Sequence, residues 1–478
     1  MLTMKKLSLL LIFCLIARIA TYGQSTSTLR ADGTILVDGK TFFPFGAYNI
    51  PYEASEADRI RALNDMIAAG FNITTVADDG RPGSREAINN LLTIADKSNF
   101  KLLIAVTNGS VQDYPTIFWA PQKYALYPAT LGYILTDDSD NGTYSFDYLA
   151  KLHNGVKGYD NKHLTFLTLT GWDASLRSDA NSYTSIADAS GYQCYSMGAH
   201  RYSDWVASTA LTQTYLRTLA YVQSAALANH PMILHLQTFS WEDRSNNPRY
   251  PTVSELRNML YTGLAAGIKG VISYDFSFDL KDNQPALWSE FKLLGKDVKS
   301  IQGMLLDGRL TRKSTSDAEL VSSYWELGDT CLVVLANTTY SKSKTVNLTL
   351  PSKYSKHKLT ALSTRMASSL VYSNGTLSGS IKNQEVEVYK LTPELTTNTS
   401  NFGEKILCTL HPNPVQDELF VDGDISDNAT YAITSIDGTI LQAGSVGSAI
   451  NISNLKPALY IIKIKTEEGK SVHRFVKE

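Results

Sequence analysis

Basic clusters, paired histidines and cysteines are all scarce in this 478-residue chain. Lys and Arg total 44 against 46 Asp and Glu, giving a formal net charge of −2, and no stripe of cations runs along the sequence. Nucleic acid is therefore not an expected partner, because phosphate binding needs clustered Lys and Arg. The eight His are scattered without H-x-H or H-E-x-x-H spacing, so no catalytic zinc is expected, and no cofactor. Of the four Cys, Cys14 falls in an N-terminal leader. Cys194, Cys331 and Cys408 stand far apart and read as buried small apolar residues rather than a disulfide framework. Beyond the leader no apolar run approaches the ~20 residues of a membrane helix, so no transmembrane segment is expected.

What is present is globular: 43% hydrophobic, 19% charged and 10% aromatic, with 26 Tyr. This length is expected to divide into two or three domains. Residues 1–23 read as a signal peptide: Lys5 and Lys6, an apolar stretch Leu7–Ile16, then Thr21 and Gly23 at −3 and −1 of a cleavage site. Phe13 precedes Cys14 where lipid attachment wants a small residue.

From residue 34 the pattern alternates. Asp38-Gly39 between two apolar runs suits a two-residue hairpin turn. Strand-like runs follow at 42–48, 72–77, 101–107, 131–136, 164–170, 191–196, 231–237 and 269–275. Most are apolar almost throughout, as in parallel strands buried on both faces. Amphipathic stretches at 57–70, 85–99, 214–230 and 253–267 separate several of them. Eight strands over about 250 residues predict a (β/α)8 TIM barrel, an α/β fold, over 30–308. Residues 309–392 change to short alternating strands, predicting an antiparallel β-sandwich. A polar Thr/Asn-rich linker spans 393–404, and a second all-β sandwich 405–478.

"HPNPVQDELFVDG", "YAITSIDGTIL" and "INISNLKPALYIIKIKTEEGKSVHRFVKE" within 405–478 together resemble the type IX secretion (Por) C-terminal sorting domain. The resemblance implies a Gram-negative cell and export first by the Sec route, then by the type IX machinery as partner. The protein is then secreted or attached to the cell surface.

Chemistry in a (β/α)8 barrel sits at the C-terminal ends of the strands. The residues gathered there are Tyr48 and Asn49, Asp78, Asn108, Asp137 and Asp138, Trp172, Tyr195, Gln237 with Trp241 and Glu242, and Tyr274 with Asp275. Carboxylates and aromatics dominate and cations are few. Aromatic faces among Asp, Asn and Gln suit a sugar ring, whose C–H faces stack while its hydroxyls pair. Glycosidic hydrolysis uses two carboxyl groups, and Asp138 beside Asp137 is a candidate proton donor. Alternation along a strand, however, turns only one of two neighbours to one side.

"DGKTFFPFGAYN", "LGYILTDDSD", "MILHLQTFSWED" and "YPTVSELRNMLYTGLAAGIKGVISYDF" resemble secreted bacterial barrels related to clan-A glycoside hydrolases. There strand 4 ends in D-E-P-D, whose Glu is the acid/base. Asp138 occupies that position, one methylene shorter, with Ser139 in place of Pro. Strand 7 would carry a nucleophilic Glu but has Gln237, which can still hold a sugar hydroxyl. Glu242 and Asp275 are then candidates for the second carboxylate. The expected function is a secreted glycoside hydrolase. The alternatives are a barrel that kept its cleft but lost turnover and binds glycans at the surface, or an adhesin using the barrel as scaffold.

Overall fold

The computed structural model describes residues 25–478 except 49, 51–53, 79–82, 107–117, 171–182, 184, 199–206, 227–228, 242–247, 314–316, 364, 366–368, 395–407, 424, 426–427, 437 and 467–468. The signal-peptide reading lies outside these residues. The chain divides between Glu394 and Leu395 into two compact units.

The first unit is built on a closed barrel of eight parallel strands. They are β1 (Phe45–Ala47), β2 (Ile73–Ala77), β3 (Lys101–Ala105), β4 (Thr130–Thr136), β5 (Leu164–Leu169), β6 (Ala189–Gln193), β7 (Met232–His235) and β8 (Gly270–Ser273). The circle closes where Phe45, Gly46 and Ala47 pair with Val271, Ile272 and Ser273. The apolar runs have two destinations. Ile73, Leu103, Ile134, Phe166, Ile233 and Ile272 belong to a cluster inside the barrel. Leu102, Tyr133, Leu135, Leu167, Leu234 and Val271 pack outward among the helices. Burial on both sides is why these strands show no polar alternation.

Most strands are shorter than the runs read in the sequence: β7 stops at His235, before Gln237, and β8 at Ser273, before Tyr274, while β1 and β6 differ further. β1 is confined to Phe45–Ala47 rather than 42–48. Pro44 precedes it and has no N–H to give to a ladder; its carbonyl accepts from Val271 N–H at 2.8 Å. β6 spans Ala189–Gln193 rather than 191–196, so Gln193, not Tyr195, ends the strand.

The outer layer includes α1 (Glu56–Ala68), α2 (Ser84–Lys97), α3 (Phe146–Tyr159), α4 (Ala210–Ala226), α5 (Val253–Ala266) and α6 (Pro285–Asp307). Their starts are written locally. Ser55 and Ser145 accept from Asp58 and Tyr148 N–H, and Thr252 and Glu255 form a capping box. Each such cap stabilises its helix by about 1 kcal/mol.

The barrel's N-terminal end is stopped by the hairpin at 35–41. Asp38 and Gly39 both have positive φ, 51° and 74°, which is the two-residue turn expected there. Ile35 joins the interior cluster, fully buried. Ser27 N–H donates to Lys162 O at 2.9 Å, and its hydroxyl accepts from Leu164 N–H at 2.9 Å. The open end of the barrel is therefore the other one, at the C-terminal strand ends.

After α6, the chain forms a five-stranded sheet and a three-stranded sheet, all antiparallel. Strand Thr330–Asn337 shows the period of two clearly. Cys331, Val333 and Leu335 enter the core between the sheets, while Leu332, Val334 and Ala336 pack with the barrel's helices. Arg365 ties this layer to α6 through Glu290 (2.6 Å) and Asp297. In the second unit a three-stranded and a four-stranded antiparallel sheet enclose Leu419, Ile433, Ile462, Ile464 and Phe475. Cys194, Cys331 and Cys408 are buried free thiols.

Candidate active site at the barrel mouth

β4 ends at Thr136, and the next four residues are pinned to β5. Ser139 N–H donates to Thr168 O at 2.8 Å, and its hydroxyl pairs with Thr136 Oγ1 at 2.7 Å. The Asp140 carboxylate accepts from Thr170 N–H at 2.6 Å. The β4–β5 register slips between Ile134 and Thr136. Such an irregularity re-aims the side chains that follow it. Asp138 then adopts a left-handed backbone, φ 47°. That conformation costs roughly 1 kcal/mol outside glycine, and the loop's hydrogen bonds to β5 hold it.

The result resolves the alternation problem. Both carboxylates turn to the same donor: Gln193 Nε2 lies 2.9 Å from Asp138 Oδ1 and 3.3 Å from Asp137 Oδ1. Asp137 also accepts from Thr168 Oγ1, from Asp138 N–H at 3.1 Å and from the Tyr48 hydroxyl. Its four donors are uncharged. Solvent reaches Asp137 from one side while protein surrounds it on the others. Burial pushes its carboxyl above the usual range, and the hydrogen bonds from Thr168, Asp138 N–H and Tyr48 hold back part of the rise.

Opposite stands a wall of aromatics. Tyr48 lies 5.7 Å from Tyr274, Tyr274 5.6 Å from Tyr195, and Tyr195 5.0 Å from Phe239, which lies 5.2 Å from Trp241. Burial, and next the charge of Asp137, raise the Tyr48 and Tyr195 phenols well above their ordinary value, so both remain O–H donors. The buried Tyr195 hydroxyl has no hydrogen-bond partner among the described residues. Beneath Tyr48 lies His235, ring to ring at 5.3 Å and almost fully buried. A cavity of about 10 Å³ beside them is lined by Thr75, Thr168, Gly191 and side chains of the aliphatic interior such as Ile134 and Ile233.

The structure brings together Tyr48, Asp137, Asp138, Tyr195, Trp241 and Tyr274. Asp275 follows Tyr274 through a cis peptide bond and is half-buried, its carbonyl accepting from Thr238 Oγ1 at 3.2 Å. Two expectations need correction. Gln237 does not face a ligand: it is fully buried, accepting from Met197 N–H at 2.9 Å and donating to the carbonyls of Met197 (2.8 Å) and Phe239 (3.2 Å). Its amide closes the loop after β6 onto β7, which occupies both its polar ends. Asp78 pairs with Arg85 of α2 at 2.8 Å, and Arg85 in turn lies over the Trp119 ring at 4.1 Å. Asn49, Asn108, Trp172 and Glu242 lie outside the described residues.

Sequence reasoning missed Gln193, Thr168, Phe239 and His235. A polar residue inside a strand buried on both faces, as in "SGYQCY" and "ILHLQ", was the available signal. Among the described residues no group of three His, Cys, Asp or Glu is placed to hold a metal ion.

Residues 409–478 match the family described as the secretion system C-terminal sorting domain. The protein is therefore exported by type IX secretion, to the medium or the cell surface; among the described residues no helix is long and apolar enough to cross a membrane. No curated protein matches the chain in sequence. Solved structures resemble its fold. A glycoside hydrolase family 5 protein from Bacteroides vulgatus aligns with TM-score 0.52 at 12% identity, covering 79% of this chain and 95% of its own. A putative alpha-galactosidase from Bacteroides fragilis gives 0.53 at 13%, covering 75% and 81%. An Anoxybacillus alpha-amylase gives 0.50 at 13%, covering 74% and 98%. At such identity the likeness is one of fold.

Proposed function

We propose that the barrel acts on glycans outside the cell, hydrolysing an O-glycosidic bond with Asp137 as its central carboxylate. The carrying observation is the setting of Asp137. It is fixed by four uncharged donors at the end of β4, open to solvent on one side and opposed by Tyr48, Tyr195 and Tyr274. A pyranose stacking on that wall would present its ring hydroxyls to Asp137 and Asp138. The role first assigned to Asp138 is open to Asp137 as well, whose carboxyl burial raises and whose partners include Thr168 and Gln193. A raised carboxyl is what a proton donor requires. Asp275 and Glu242 remain the candidates for the second group.

One observation favours binding without turnover. Asp137 and Asp138 are chain neighbours sharing one donor, so they stand on one side of a ligand, whereas hydrolysis needs carboxyl groups flanking the bond. Gln237, locked on Met197, supplies none from β7.

The test is a panel of polysaccharides and aryl glycosides offered to the full chain and to Asp137→Asn. Hydrolysis requires that the wild type release reducing ends and that Asp137→Asn lose at least a hundredfold, the usual worth of an acid/base group. Binding by both proteins with release by neither would leave a glycan-binding barrel.

A further inference from the structure

The exposed apolar side chains of this protein are not spread evenly. Among the described residues twelve large hydrophobic side chains are exposed, and six of them (Ile436, Ile440, Leu441, Leu459, Val472 and Val476) fall in the second unit. Its four-stranded sheet runs β10 (Ile440–Ser445), β9 (Thr430–Thr434), β11 (Ala458–Lys465), β12 (Lys470–Lys477) in spatial order. One face holds the core through Ile433, Tyr460, Ile462, Ile464 and Phe475. The other face is fixed by register. Leu459 sits opposite Val476, Ile461 opposite Arg474 and Lys463 opposite Val472. Thr434 extends the middle row from Ile461 to Ile440.

This face has two properties at once. It exposes apolar side chains, and its charge has one sign. No Asp or Glu occurs in any of the four strands, while Lys463, Lys465 and Arg474 project from it, exposed. This mixture of apolar and cationic groups has no role in the core, which lies on the opposite side. Exposed apolar surface interspersed with charge of one sign marks an interaction site.

We propose that this outer face is the surface by which the sorting domain docks, and that its occupant is an acidic, apolar-lined protein surface of the secretion machinery. Charge complementarity selects that occupant. A second copy of the same face would set cation against cation with no acid to answer it, and like charges across an interface oppose pairing. A lipid bilayer fits less well. Apolar groups that enter acyl chains need their charged neighbours set back toward the headgroups, but Arg474 and Lys463 stand in the same rows as Ile461 and Val472. The proposal does not depend on what the barrel does.

The test is export of the full chain from the bacterium that makes it, read as the fraction in medium and on the cell surface. One variant carries Leu459→Thr, Val472→Thr and Val476→Thr, which keep strand propensity. A second carries Lys463→Glu and Arg474→Glu, and a third the conservative Lys463→Arg and Arg474→Lys. Thermal melting of each purified chain confirms folding, and Lys463→Glu alone replaces the second variant if that melts early. The first two should export at least tenfold less than wild type, and the third like wild type. Export within twofold of wild type by folded variants of both kinds overturns the proposal. So does a wild-type dimer that the variants dissolve, which makes the occupant a second copy. Binding to phosphatidylglycerol vesicles that both variants abolish overturns it in favour of lipid.

Discussion

One amide group of Gln193 serves two acids: its Nε2 lies 2.9 Å from Asp138 and 3.3 Å from Asp137. A hydrogen bond to an ionised carboxylate favours the ionised form and is worth about 1.5–3 kcal/mol. Gln193→Leu removes it from both at once. The alkaline limb of the pH–rate profile, which a proton donor sets by losing its proton, or the pH–binding curve if there is no turnover, should then move up by roughly one unit. Gln193→Asn, shorter by one methylene, should move it less. A profile that stays in place under Gln193→Leu would mean that neither carboxylate governs the site.

Gln237 offers a sharper contrast between loss and reassignment. If it were merely a nucleophile's vacated place, Gln237→Glu would restore or raise hydrolysis. The geometry gives another outcome. A carboxylate there still accepts from Met197 N–H but faces the carbonyls of Met197 and Phe239, which then lose their donor. Leaving such groups unpaired beside a buried charge costs about 2–4 kcal/mol. The variant should melt several degrees lower, with no gain in glycosidase activity, by calorimetry and aryl-glycoside assay.

His235 makes stability depend on acid. Burial pushes its imidazole down from the ordinary 6.5 to about 3. The unfolded chain therefore binds a proton that the folded chain refuses between those two values. Its share of stability is complete above pH 6.5 and falls as pH drops toward 3, by about 1.4 kcal/mol per unit. Urea midpoints at pH 7, 5 and 4 should fall less steeply for His235→Phe than for wild type. Equal slopes would show that another group carries the acid sensitivity.

Arg365 joins the sandwich to the barrel's last helix through Glu290 and Asp297, which are mostly buried. Arg257 also binds Glu290, at 2.9 Å, but among the described residues Asp297 has no ion-pair partner except Arg365. Arg365→Met should cost about 3 kcal/mol, because it strands a buried carboxylate. Asp297→Asn on that background should recover part of the loss, as a double-mutant cycle in urea would reveal.

The barrel was legible because its strands are continuous apolar runs of strand length separated by helix-period stretches, and the aspartate pair could be placed by counting them. The C-terminal sorting domain was legible from short motifs in order. What the sequence did not convey was local and tertiary. The register slip before Thr136 and the left-handed Asp138 decide how both acids face one way, and neither leaves a residue signature. Gln237 looked like a ligand group because it ends an apolar run at the mouth; its partner Met197 lies forty residues away and is backbone. Gln193 was passed over because strand 6 ends earlier than its apolar run.

The closing seam of the barrel divides the mouth. β1 shares three paired positions with β8 and two with β2, and β7 shares two with β8, whereas β2 and β3 share five and β3–β4, β4–β5, β5–β6 and β6–β7 four each. Tyr48 and Tyr274 sit on the sparsely laddered side, and Asp137, Asp138 and Gln193 on the densely laddered one. Tyr195 follows β6 and so stands on the densely laddered side, where its ring meets Tyr274 across the mouth at 5.6 Å. The aromatic wall therefore spans the seam that closes the barrel, while the acids are aimed from strands well inside the ladder.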